Sequence, residues 1–143
     1  MQTISSVSLT LAGIPARAAA RAIDFLILVG INGAIGKQIG FGFDWLIIAA
    51  AIVITYFVAL DVVAGTTVGK AVFSLRVTDA SGSKLSPKQA LIRECFILLG
   101  AIPYAGPLLA LAAWTCIVLT VRSSPLRQGK HDQLAGGTRV IRR

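Results

Sequence analysis

The stretch RAAARAIDFLILVGINGAIG, residues 17–36, decides the architecture of this chain. Its apolar part, after Asp24, contains only 12 residues, whereas an α-helix needs ~20 to cross a bilayer. The helix therefore has to reach back to about Arg17. Because an α-helix turns ~100° and rises ~1.5 Å per residue, Arg17, Arg21 and Asp24 share one face, with Asp24 ~10 Å deeper than Arg17. An ionisable group is costly at that depth, so Asp24 is a candidate functional residue.

The composition is that of an integral membrane protein. The chain is 55% hydrophobic and only 14% charged, with a mean hydropathy of +0.78, whereas soluble domains carry about 25% charged residues. The net charge of +8 does not indicate nucleic-acid binding, because the basic residues flank the apolar runs as topology determinants do. Cys95 and Cys116 fall within apolar segments and form no disulfide or metal pattern. We expect neither a metal nor a cofactor.

Four membrane spans are predicted, at about 16–38, 44–63, 86–102 and 104–121, followed by a basic tail at 122–143. The last uncharged run is interrupted by prolines and glycines, so one kinked span or two short spans would fit it. Four spans place 13 of the 14 basic residues on one side, whereas three spans place only 7 there. The positive-inside rule therefore favours four spans with both termini in the cytoplasm.

The loop between the second and third spans contains two recognisable segments. GTTVGK, residues 65–70, lacks the fourth residue between the glycines and the Ser or Thr after the lysine that a phosphate-binding loop needs. Its glycines are more typical of a tight turn or close packing at the membrane surface. SLRVTD, residues 74–79, alternates like a strand and could pair with GTRVI, residues 137–141.

Six charged residues of the spans are predicted to meet in the cytoplasmic half of the membrane: Arg17, Arg21, Asp24, Asp61, Arg93 and Glu94. Two interpretations are open: a structural ion-pair network that fixes helix orientation, or a site that handles a cation or a proton. The two arginines beside Asp24 count against a freely titrating proton carrier.

In the tail, His131 and Asp132 are adjacent. A lone His with no Cys or Ser partner is weak support for catalysis or metal binding. We interpret His131 as a polar group that holds the tail against the cytoplasmic loop.

Taken in order, four segments resemble the RDD family of small bacterial membrane proteins: RAAARAID, GTTVGKAVFSLRVTDASG, LSPKQALIRE and KHDQLAGGTRVI. Arg17 matches the family arginine and Asp24 its first aspartate, and the second is Asp61 or Asp132. The loop motif carries Gly65, Thr67, Gly69 and Lys70, and the tail motif carries His131 and Asp132. Arg21 departs from the family pattern. The resemblance implies a protein of the cytoplasmic membrane that is suspected of transport, with sodium/proton exchange suggested for some members.

The sequence thus predicts a single domain, 1–143: an all-α membrane protein with a bundle of four transmembrane helices in two hairpins and a small cytoplasmic strand pair. The first functional hypothesis is transport of a cation or a proton. Four short spans are too few to enclose a transport pathway, so a homo-oligomer would be needed. The alternative is a non-catalytic accessory or structural subunit of a larger membrane complex. The glycine face of the first span and the basic tail would be its contact surfaces. No assembled nucleophile, base or metal site points to an enzyme.

Overall fold

The computed structural model describes residues 10–143. The cytoplasmic placement that the sequence predicts for residues 1–9 lies outside this described part. Within it, three long helices are joined by short helices and strands. In chain order the elements are β1 (Thr10–Leu11), α1 (Ile14–Ile39), α2 (Phe43–Val63), α3 (Val68–Val72), β2 (Leu75–Thr78), α4 (Pro87–Glu94), a 3₁₀ helix (Cys95–Ala101), α5 (Gly106–Ser123), α6 (Lys130–Leu134) and β3 (Arg139–Arg142).

Helices α1, α2 and α5 are the three helices of the described chain that are long and apolar enough to cross a membrane. They correspond to the spans predicted at 16–38, 44–63 and 104–121. The fourth predicted span, 86–102, is not confirmed, since α4 ends at Glu94 and a 3₁₀ helix follows. The physical reason is that α4 is polar and only about eight apolar residues come after it, far fewer than the ~20 that a span needs.

The 3₁₀ helix and α5 form a hairpin across a tight turn. The backbone N–H of Gly106 donates to the carbonyl of Ile102 at 2.8 Å. Any side chain at Gly106 would meet the backbone of Gly100, so this glycine permits the close approach of the two segments. The hairpin returns the chain to the end of the molecule from which α4 started.

The strands form one antiparallel sheet in the order β1-β3-β2. Val77 lies opposite Val140, and Thr10 and Leu75 lie on either side of Arg142. The predicted pairing of 74–79 with 137–141 is confirmed, and β1 was missed because a two-residue strand has no alternation to detect. Leu75, Val77 and Val140 pack in one core with Ala20 of α1 and Ala90 of α4: the helices support a sheet that would be marginal alone.

Helix α1 buries one residue per turn along a single narrow face: Ala20, Asp24, Leu28, Asn32 and Gly36. Outside this face the helix exposes large apolar side chains, including Leu26 and Val29. In water such a surface would be unfavourable, but in a bilayer it is the expected lipid-facing side. The narrow buried face places Asp24 against α2 and α3.

Candidate functional site

Asp24 is fully buried, and its carboxylate accepts hydrogen bonds from three uncharged donors. The Tyr56 hydroxyl donates at 2.8 Å, the Thr67 hydroxyl at 2.5 Å and the Gly69 backbone N–H at 2.8 Å. Among residues 10–143, no basic side chain lies within ion-pairing distance of this carboxylate. Arg17 and Arg21, which the sequence places beside Asp24, pair instead with Asp132 and Glu94.

Five charged side chains form an alternating line, which we call the ion-pair series: Lys70–Asp61–Arg93–Asp132–Arg17. The four contacts measure 2.6, 3.2, 2.9 and 2.7 Å in that order. Both carboxylates are fully buried. The series connects α1, α2, α3, α4 and α6, so it joins the membrane helices to the loop and tail motifs.

Asp132 is the most heavily bonded carboxylate of the series. Besides the two arginines, it accepts hydrogen bonds from the Gly129 backbone N–H at 3.1 Å and the Thr138 hydroxyl at 3.0 Å. Burial alone would raise the pKa of Asp132, but the nearby positive charges, led by Arg93, hold that pKa well below its usual range. The two arginines thus favour the ionised form of Asp132, whose contacts hold α6 and the tail in place.

Arg21 belongs to a separate pair. Its guanidinium donates to both oxygens of Glu94, at 2.9 and 3.2 Å. It also lies over the Phe57 ring, 4.2 Å from the centroid, and 5.7 Å from that of Trp114. A bidentate pair with aromatic contact suits the planar guanidinium. Arg21, the departure from the family pattern, is thereby neutralised away from Asp24.

The loop motif GTTVGK lies over Asp24, and two of its residues donate hydrogen bonds to the Asp24 carboxylate. Gly65 has φ +68, and its carbonyl accepts from the Val77 N–H at 2.7 Å, which ties the loop to β2. Thr67 caps α3 by accepting from the Lys70 N–H at 3.3 Å. A Cβ at Gly69 would collide with the carbonyl of Ala20, so only glycine lets α3 approach α1 closely enough to bond Asp24.

Lys70, at the end of the same motif, turns away from Asp24 and binds Asp61. Burial lowers the pKa of Lys70, and the neighbouring Asp61 carboxylate opposes that shift. The expectation that the loop glycines permit a tight turn or close packing agrees with the positive φ of Gly65 and the contact of Gly69 with α1. The loop also supplies the ion pair of Lys70 with Asp61.

His131 is buried against the ring of Phe96, with centroids 5.5 Å apart. Its Nε2 lies 3.6 Å from the Asp132 carboxylate, and its Nδ1 has no hydrogen-bond partner among the described residues. Burial lowers the pKa of His131 to about 3, so the imidazole is neutral at physiological pH. No cluster of potential metal ligands occurs in the part of the chain that the structure describes.

Every residue that the sequence singled out in the spans, loop and tail lies in this region, but the partners were not predictable. Tyr56, Thr138 and Phe57 were missed. Tyr56 is a polar residue within an apolar helix, and this was the only signal that could have identified it. Which aspartate is reached by which arginine depends on α6 packing against α4 and α5, which no local pattern indicates.

The apolar helices, the exposed apolar surface and the buried charges at one end define a multi-pass membrane protein. The model of the RDD family matches residues 11–136, which is most of the chain. The protein belongs to the RDD family. No curated protein and no solved structure matches it significantly.

Proposed function

We propose that this protein is a small, non-catalytic transporter of the cytoplasmic membrane that exchanges a proton for a monovalent cation at Asp24. One observation carries the proposal: among residues 10–143, Asp24 is a carboxylate of a long apolar helix whose partners are all uncharged, whereas Asp61, Glu94 and Asp132 are each paired with cations. Structural carboxylates are neutralised by fixed charges, whereas an unpaired carboxylate in a span is a candidate for an exchangeable ion.

The partners of Asp24 suit such an exchange. A hydroxyl both donates and accepts, so Tyr56 and Thr67 can rotate when the carboxylate takes up a proton. The same two oxygens, together with the carboxylate, offer the ligands that a hard cation prefers. The Gly69 N–H can only donate, and it keeps the carboxylate in place in either state.

A second polar group lies deeper on the same face of α1. Asn32 is buried, and its Oδ1 has no hydrogen-bond partner among residues 10–143. It lies eight residues beyond Asp24, or ~12 Å along the helix. On the other side, Thr67 and Gly69 cover Asp24. We propose that the cation enters when this loop moves and passes Asn32 on its way across the membrane.

The proposed topology has both ends of the chain on the cytoplasmic side. Strand β3 pairs with β1, which precedes α1, and with β2, which follows α2. All three strands therefore share one side of the membrane, and the hairpin of the 3₁₀ helix and α5 has to return to it. This side carries 13 of the 14 basic residues, which favours the cytoplasm.

One copy has few helices with which to enclose a transport pathway, so we propose a homo-oligomer as the transporting form.

Flux measurement in sealed proteoliposomes with an internal pH dye tests the proposal. An imposed sodium or potassium gradient should drive proton movement in the unaltered protein and in Asp44→Asn, an exposed control. Asp24→Asn should abolish it. Equal flux in Asp24→Asn, or no flux in the unaltered protein, would contradict the proposal.

The alternative function is that of an accessory subunit of a larger membrane complex. A specific observation favours it: apart from chain neighbours and the backbone of α1 itself, no described atom lies within 4 Å of a Cβ built at Gly30 or at Gly33. Small residues on an open helix face permit close helix packing in membranes. Recovery of a stable partner after mild detergent extraction, lost in Gly30→Leu and accompanied by no flux, would support the accessory role.

A further inference from the structure

A cavity of about 110 Å³ lies between α1 and α5, and Asp24 does not line it. Apolar side chains form most of its wall, including Trp114 and Val118 of α5 and Phe96 of the 3₁₀ helix. Ala18 of α1 also lines it and is exposed on the helix surface. The site therefore combines an apolar wall with an exposed border.

The charged side chains of the wall are all basic among the described residues. Arg17, Arg21, Lys70 and Arg93 line the cavity, together with the neutral His131. Their carboxylate partners are fully buried and do not line it. The ion-pair series itself carries three cations and two carboxylates. An anion in the cavity would meet guanidinium and ammonium groups without facing a carboxylate.

The cavity lies near the start of α1 and near the end of α5, where membrane helices meet lipid headgroups. Ala18 lies four residues inside the start of α1 at Ile14, and Val118 lies five residues before the end of α5 at Ser123. These separations correspond to ~6 and ~7.5 Å along the helices. Each headgroup region is itself about 5–8 Å thick.

We propose that this cavity binds the phosphate group of an anionic membrane phospholipid, whose acyl chains lie against α5. A guanidinium has five N–H donors, and those not used in the ion pairs can donate to phosphate oxygens, while the apolar wall suits the hydrocarbon next to the headgroup. Zwitterionic lipids offer the same phosphate with a cation beside it, which the basic wall disfavours. The inference does not depend on transport at Asp24.

The test is native mass spectrometry of protein released from nanodiscs of equimolar phosphatidylglycerol and phosphatidylcholine. The unaltered protein should retain phosphatidylglycerol preferentially. Ala18→Trp fills the cavity border without changing charge and should lower that retention about tenfold, equivalent to ~1.4 kcal/mol. Ala22→Trp is the matched control, because Ala22 is exposed one turn along α1 and does not line the cavity; it should retain lipid normally.

A second pair keeps the test valid if Ala18→Trp does not fold. Val118→Trp fills the cavity from α5, and Leu119→Trp changes an exposed neighbour outside it. Equal retention in blocked and control variants would overturn the proposal, as would equal retention of the two lipids. Stabilisation by millimolar inorganic phosphate in phosphatidylcholine nanodiscs, without lipid retention, would assign the site to free phosphate and also overturn it.

Discussion

Replacing Asp132 by Asn should destabilise the protein severely, because one carboxylate holds two arginines. Asp132 accepts from Arg17 at 2.7 Å and from Arg93 at 2.9 Å, in a fully buried position. The Asn amide keeps one acceptor oxygen but turns an NH₂ group toward an arginine donor. Breaking a buried ion pair by removing one partner costs about 3–5 kcal/mol. We expect a loss of that size in the free energy of unfolding.

Unfolding in mixed micelles of a mild detergent and SDS measures this free energy. Asp44→Asn is the control, since Asp44 is exposed in the first turn of α2 and contributes at most about 1 kcal/mol through the helix dipole. A loss below about 1 kcal/mol in Asp132→Asn, or one equal to the control, would refute the view that the ion-pair series holds the tail to the membrane helices.

Two further predictions concern His131 and Gly69. Because burial lowers the pKa of His131 to about 3 from 6.5, only the unfolded chain takes up this proton in mildly acidic solution. The contribution of neutral His131 to the free energy of unfolding is therefore fully present above pH 6.5. It is lost as the pH falls below that value, by about 1.4 kcal/mol per pH unit. His131→Phe should flatten the decline in unfolding temperature between pH 6.5 and about 5; an unchanged slope would contradict the assignment. Gly69→Ala should lower the unfolding temperature and separate α3 from α1, because its methyl group meets a backbone carbonyl of α1. Gly30→Ala, in open space, should be neutral or stabilising, and similar unfolding temperatures for the two variants would refute the close-packing argument.

The sequence was informative about whatever depends on local pattern. The extents of α1, α2 and α5 follow from apolar run length, and the pairing of β2 with β3 follows from alternation. The span at 86–102 is not confirmed: it was inferred from charge distribution, which indicates the side of the membrane and does not report helix length. The 3₁₀ geometry after Glu94 depends on packing against α5, which periodicity does not encode.

For the site, the sequence located the charged residues but not their partners. Helical spacing placed Arg17 and Arg21 near Asp24. Side chains of that length extend ~6 Å or more from the helix, however, and these two bind carboxylates on other elements. The decisive partners of Asp24 are a loop hydroxyl, a loop backbone N–H and Tyr56. These contacts form only when α3 packs on α1. They are tertiary contacts, which a local sequence pattern does not predict.

The most direct test of the central claim is infrared difference spectroscopy of the Asp24 carboxyl group in reconstituted protein. Adding sodium or potassium over a series of pH values should remove the carbonyl band of a protonated carboxyl group as the cation displaces the proton. The band should be absent from Asp24→Asn and present in Asp44→Asn. A band that persists in Asp24→Asn, or that does not respond to either cation at any pH, would contradict cation–proton exchange at Asp24.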